Sequence, residues 1–282
     1  VVAKDPQKLA AASGLASSKG ILGPFAGELS NSGEAIILSD QWGNTADRVR
    51  YSDRPPWPKG ADGEGFSLEL INPALPNQFG GAWRGSVAAW GTPGAANSTF
   101  VAAPPPIIDD PKHTPLVPLP NQAITVTAVI IDDQPAPPTA TLYYRQDFNP
   151  TIAYSLTPML DDGLHGDGAA GDGVFGATVP GLPNGERLDF TIRADDGTSV
   201  SAGPPGHNTL VAGQNPTQTY LCEFANPPAT TDFPHYRLIT TQYNRTLQDA
   251  HNEDEHDGTF VHCNTVSAGC QLFYNVVERY RG

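Results

Sequence analysis

Ile124-Thr-Val-Thr-Ala-Val-Ile-Ile131, Thr139-Ala-Thr-Leu-Tyr-Tyr-Arg145 and Leu188-Asp-Phe-Thr-Ile-Arg-Ala194 decide the fold class. Each run is rich in β-branched and aromatic residues, and Gly, Pro, Asn and Asp separate the runs. Several of them alternate apolar and polar side chains, the period of a strand with one face buried. Outward from these runs lie shorter ones of the same kind: Glu34–Ser39, Arg48–Tyr51 and Ser67–Ile71. Short strands with frequent turns predict antiparallel β-sandwiches. Helical periodicity is scarce. Pro6–Ser13 reads as one short helix, with Asp5 as N-cap and Gly14 at its end. Thr246–His251 reads as a second.

Composition narrows the function. The chain has 282 residues, 29 Gly, 28 Pro and 39% hydrophobic residues. That is enough apolar material for real cores, and length alone allows two or three domains. Thirty acids against sixteen Lys and Arg give a formal charge of −14. Such a chain repels phosphate backbones, so no nucleic-acid partner is expected. No apolar stretch approaches the roughly 20 residues that cross a bilayer as a helix. The strand-like residues at both ends suggest a piece of a longer polypeptide.

Two boundaries are marked by composition. Ala102-Ala-Pro-Pro-Pro106, Asp109-Asp-Pro-Lys112 and the Pro115–Pro120 run read as a stiff, extended linker. A second boundary falls between Gly203-Pro-Pro-Gly206 and Asn226-Pro-Pro228. The expected organisation is a sandwich over 1–100, a linker over 101–117, a sandwich over 118–220 and a small β segment over 221–282.

Leu29–Asp40, Val49-Arg-Tyr-Ser-Asp53, Trp57, Ala61–Ile71, Trp83-Arg84 and Gly91–Asn97 occur in an order that resembles the lamin-tail domain of bacterial secreted proteins. Read without the family, Asn31-Ser32-Gly33 is a turn into a half-buried strand. Asp62-Gly63 and Glu64-Gly65 form a tight turn, and Trp57 and Trp83 are core anchors. The resemblance implies an immunoglobulin-like sandwich, a non-catalytic module whose first strands are missing here. Residues 118–220 resemble the small immunoglobulin-like domain that follows in bacterial surface proteins. Tyr236–Thr241, Gly258–Val261 and Tyr274–Gly282 resemble the start of spore-coat protein H (CotH) kinase-like domains. That family's nucleotide-binding lysine and metal-binding acids fall beyond Gly282, so no kinase residue carries over. The fold class expected overall is all-β: tandem immunoglobulin-like antiparallel sandwiches with Pro-rich linkers.

The densest chemistry lies in Leu160–Phe175. Asp161, Asp162, Asp167 and Asp172, with His165, are interleaved with Gly163, Gly166, Gly168, Gly171 and Gly173. Hard oxygen donors on a coiled loop suit Ca²⁺. The five-residue period of Asp162, Asp167 and Asp172 is not the EF-hand pattern. The other reading is an Asx-turn loop in which Asp side chains bond their own backbone. Cys263 and Cys270 flank a turn-like gap, which suits a disulfide across a hairpin; two buried thiols are the alternative. Cys222 is left over and reads as a buried thiol. A zinc site would need about four ligands, which His262 and Cys263 do not supply. Glu253, Asp254, Glu255 and Asp257, between His251 and His256, read as a solvated acidic loop. Asn97-Ser-Thr99 and Asn244-Arg-Thr246 match the glycosylation sequon.

No nucleophile elbow, phosphate-binding loop or dinucleotide fingerprint is present. The expected function is therefore not enzymatic. It is a structural, adhesive or self-assembling segment of a larger bacterial protein, extracellular or on the cell surface. Its partners would be neighbouring domains or identical subunits, joined through open sheet edges. The alternative is the accessory front of a secreted CotH-type kinase.

Overall fold

Strands dominate the molecule, and every pairing between its described strands is antiparallel, apart from an isolated parallel bridge between Val2 and Leu22. The computed structural model describes residues 2–14, 20–54, 56–61, 65–147, 152–204, 219–226, 234–242, 244–246, 256–264 and 269–278. Packing divides the chain into two units, Val1–Pro104 and Pro105–Gly282.

The first unit opens with helix α1 (Pro6–Ser13). The Asp5 carboxylate caps it by accepting from the Gln7 and Lys8 amides at 3.1 and 3.0 Å, and Gly14 ends it at φ 66°. Strands β1 (Ala35–Ser39) and β2 (Thr45–Arg50) form a hairpin. Its turn is fixed by Asp40, whose Oδ1 accepts from the Trp42 and Asn44 amides at 2.9 Å. Gly33 precedes the hairpin where the backbone approaches Tyr51 closely: a Cβ there would lie 2.4 Å from the Tyr51 carbonyl oxygen. Strands β3 (Leu68–Leu70) and β4 (Trp83–Gly85) form a second ribbon. Beside it Trp57 and Trp83 pack with ring centroids 5.8 Å apart. Trp57, Ile71, Leu75 and Ala82 are buried there.

Two expectations change in this unit. The strand that follows Gly33 is not half-buried. Ile36, Ile37 and Leu38 are 43, 52 and 60% exposed: among the described residues β1 pairs with β2 alone and no second layer covers the ribbon. Among the described residues there are two separate ribbons rather than two facing sheets. The turn expected at Asp62–Gly65 and the helix expected over Thr246–His251 lie largely outside the described residues.

The second unit is a sandwich with a three-stranded sheet against it. One layer has the order β5 (Ile107–Thr114), β6 (Ile124–Ile131), β9 (Val174–Val179). The other runs β11 (Val200–Gly203), β10 (Arg187–Asp195), β7 (Thr139–Gln146), β8 (Ser155–Met159), with β12 (Tyr220–Glu223) also on β10. Alternate residues of the two layers meet in one core: Ile124, Val126, Ala128 and Ile130 from β6; Phe175, Ala177 and Val179 from β9; Leu142 from β7; and Leu188, Phe190, Ile192 and Ala194 from β10. Burial of such side chains, at about 25 cal/mol per Å² of apolar surface, is what holds the layers together.

The Pro-rich stretch 101–117, read as a linker, contains a strand of this sandwich. Ile107 is buried in β5, and Pro111 sits where the register with β6 shifts between Asp109 and Lys112. Proline is tolerated there because the bulge lies on an edge strand and needs no ladder donor. The boundary expected at 220/221 runs through β12, which hydrogen-bonds to β10 from Arg187↔Glu223 to Phe190↔Tyr220. Strands β13 (His235–Thr240), β14 (His256–Cys263) and β15 (Cys270–Glu278) form a meander. Ile239, Val261 and Leu272 pack with Leu221 and Val117.

Candidate functional site

The Asp-rich segment connects β8 in one layer to β9 in the other. Its carboxylates are bonded to backbone amides. Asp161 accepts from the Gly171, Asp172 and Gly173 amides at 2.7, 3.2 and 2.9 Å. Asp167, 1% exposed, accepts from the Asp162, Gly163 and His165 amides at 2.7, 2.8 and 2.8 Å. Asp172 takes the Ala169 and Val174 amides, both at 2.9 Å. Asp162 accepts from the Leu164 amide and contacts His165 Nδ1, each at 2.9 Å.

Electrostatics follow this bonding. Burial opposes ionisation of Asp167, but the amides aimed at it outweigh burial and hold its carboxyl below the usual value. The hydrogen bond from His165 does the same for Asp162. Gly168 shows why the segment needs glycine: its φ is 100°, and a Cβ would lie 2.6 Å from Asp172 Oδ2. The four acids thus act as backbone clamps, as in the Asx-turn reading. Among the described residues no three His, Cys, Asp or Glu side chains are grouped so that they could hold a metal ion.

Cys263 and Cys270 are joined by a disulfide where β14 pairs with β15, with Cα atoms 4.0 Å apart. Cys222 is a buried free thiol in the sandwich core, and burial pushes its pKa well up. Asn97 of the first sequon donates its side-chain amide to the Leu70 carbonyl at 2.9 Å. Residues 251–255, which carry His251 and three of the acids of the acidic loop, lie outside the described residues.

The chemically richest groups are ones sequence reasoning did not single out. On the face of the sandwich opposite the core, Arg145 Nε donates to Asp189 Oδ2 at 2.9 Å, with both side chains buried. The Tyr154 hydroxyl donates to the same carboxylate at 3.0 Å, and the Arg145 guanidinium lies 4.4 Å from the Tyr154 ring centroid. Burial pushes the Asp189 carboxyl up, opposed by Arg145 and by hydrogen bonds. Beside this triad Arg187 pairs with Asp147 at 3.2 Å, and Asp147 accepts from the Gln242 amide at 2.9 Å.

His113 of β5 is fully buried against Phe190 and Tyr274, which in turn pack on Tyr220. Its Nε2 lies 3.2 Å from the Leu116 carbonyl oxygen, which can only accept, so Nε2 carries the proton. Nδ1 is then the acceptor for the Tyr274 hydroxyl of β15. Burial lowers the imidazole pKa from 6.5 to about 4 and raises that of Tyr274. A Tyr–His pair can move protons where water reaches it. Here both rings sit inside an aromatic cluster, and the pair ties strands together.

In the first unit Glu69 is the corresponding buried acid. It accepts from Ser98 Oγ at 2.7 Å, from the Thr99 amide at 3.2 Å and from the Thr92 hydroxyl. Burial opposes its ionisation, but these hydrogen bonds prevail and lower its pKa. In each cluster the ionisable groups are directed at one another or at the backbone. No family model matches the chain, and no curated protein matches it.

Proposed function

We propose that the chain is a non-catalytic, extracellular structural segment of a bacterial surface protein, which holds and joins neighbouring modules or copies of itself. Immunoglobulin-like organisation, as the lamin-tail and following-domain resemblances imply, belongs to this reading. The observation that carries it is the engagement of the clustered polar groups by one another and by the backbone. Arg145, Asp189 and Tyr154 stiffen one face, His113 and Tyr274 tie distant strands, and the Asp161–Asp172 carboxylates clamp a connection. A catalytic acid or base needs a group within reach of a substrate proton, and these groups are engaged by one another or by the backbone. The exposed ribbon β1–β2 supports the joining role.

Two measurements test it. Antibody against the chain should label intact cells that make the parent protein; labelling only after lysis would sink the extracellular assignment. The purified chain should turn over no substrate in broad hydrolase and phosphotransfer screens, and any genuine turnover would overturn the non-catalytic assignment.

A second reading is favoured by the outer face of the meander. Tyr236, Leu238 and Phe273 are 63, 50 and 38% exposed there, a surface on which more of a CotH-like domain would pack. The chain would then be the accessory front of a secreted kinase. Reading the gene beyond Gly282 separates the two. A downstream lysine with metal-binding acids favours the kinase; further repeats or a sorting signal favour the structural protein.

A further inference from the structure

We propose that β1 is a docking edge whose occupant is β1 of a second copy, paired antiparallel about a two-fold axis into a four-stranded sheet β2-β1-β1-β2. This rests on the reading of the chain as a joining module and names its joint.

Four observations lead to it. First, β1 pairs with β2 alone, so among the described residues its other edge has no strand partner. A row of free amides and carbonyls is a template for another strand. Second, Ile36, Ile37 and Leu38 are all substantially exposed, on both faces of a ribbon that is marginal in water by itself. Third, the edge is unguarded. Ala35-Ile-Ile-Leu-Ser39 contains no charge and no proline. In the sandwich, edge strand β5 carries the Asp109–Lys112 bulge with Pro111, and edge strand β8 carries Pro158. Those are the devices by which proteins block edge pairing.

The fourth observation selects the partner. Residues 1–104 hold eight Lys and Arg against nine Asp and Glu, whereas residues 105–282 hold eight against twenty-one. Two copies therefore meet with least repulsion through their first units. β1 itself brings no charge to the axis. Centring the pairing on Ile37 aligns all five residues, with Ile36 opposite Leu38 of the partner copy. One face then gains a continuous apolar row with Val49, which is opposite Ile36 in the hairpin. Such an isologous joint closes at the dimer.

Sedimentation velocity of the full chain across micromolar to millimolar concentration tests the proposal. The wild type should pass from monomer to dimer and stop there. Ile37→Lys should weaken the dimer by about a hundredfold, because two lysines would meet on the axis. Its circular dichroism should be unchanged, since the site is exposed. Ile37→Cys should give a covalent dimer on mild oxidation. Leu238→Lys, on the outer face of the meander, should leave the dimer intact. A dimer that survives Ile37→Lys but is lost in Leu238→Lys would overturn this joint and leave self-association standing. A wild type that is monomeric throughout would remove both. Growth beyond the dimer would overturn the two-fold pairing.

Discussion

The two units handle the same kind of strand in opposite ways. In the second unit β10 is buried along most of its length: its apolar face fills the core, and its polar face lies under Arg145 and Tyr154. In the first unit β1, with a comparable run of aliphatic residues, is exposed at four of its five positions. The difference is the presence of a covering layer. A strand's hydrophobicity reports how much it gains by burial, and only the rest of the chain decides whether that gain is collected.

The largest effect that would break this contrast is loss of the buried acid. Asp189→Ala removes the buried carboxylate that pairs with the Arg145 guanidinium, and is expected to destabilise the second unit by about 3–5 kcal/mol. Denaturant titration followed by amide exchange in β7 and β10 would report it, with the transition seen by tryptophan fluorescence unchanged, since Trp42, Trp57, Trp83 and Trp90 all lie in the first unit. An effect under about 1 kcal/mol would mean that Arg145 is solvated in the folded protein.

Acid is expected to act next. Unfolded His113 takes a proton near pH 6.5, whereas the folded protein resists it until about pH 4. Between those values the unfolded state binds more protons, so the stability contributed by neutral His113 is intact above pH 6.5 and is lost as pH falls through the window. The full loss is about 3 kcal/mol, from 1.36 kcal/mol per pKa unit. Thermal melts of wild type and His113→Gln at pH 7 and pH 4.5 check it: the pH-dependent drop should shrink in the variant.

Reducing the Cys263–Cys270 bridge should cost about 2–3 kcal/mol, the loop-closure value for so short a loop. The loss should appear in the meander, as faster amide exchange in β14 and β15. At the small end, Ile37→Ala should change monomer stability by less than about 0.5 kcal/mol. A larger cost would mean that the ribbon is covered in solution. Smallest of all, adding millimolar Ca²⁺ to chelator-treated protein should leave the melting temperature unchanged, because the loop carboxylates are already engaged by amides. A rise would give Asp161, Asp162, Asp167 and Asp172 a role as ligands that their hydrogen bonds do not provide.

Much of this architecture was legible in the residues. The alternation of β6, β7 and β10, the Asp5 cap of α1 and the burial of Trp57 as an anchor were all readable from the residues. The Asx-turn reading was legible for Asp162 and Asp172, which bind amides two residues on, whereas the reach of Asp161 to the Gly171–Gly173 amides was not. Three other features were not. Pro111 hid β5, since proline argues against a strand unless the strand is known to be an edge. Asp189 in an alternating run looks like a solvent face, and Arg145 and Tyr154, which cover it, lie far away in the chain. Ala35-Ile-Ile-Leu-Ser39 looks like a core strand, and nothing local reveals that no layer covers it among the described residues.

The bond between His113 and Tyr274 spans 161 residues, almost the whole second unit. A domain stitched from its first strand to its last cannot finish folding as it emerges. Everything up to Tyr274 must leave the ribosome before the aromatic cluster can close, and such long-range contacts form slowly. Closure of that one bond therefore marks the completion of the unit, and the strands made first wait longest for their final neighbours.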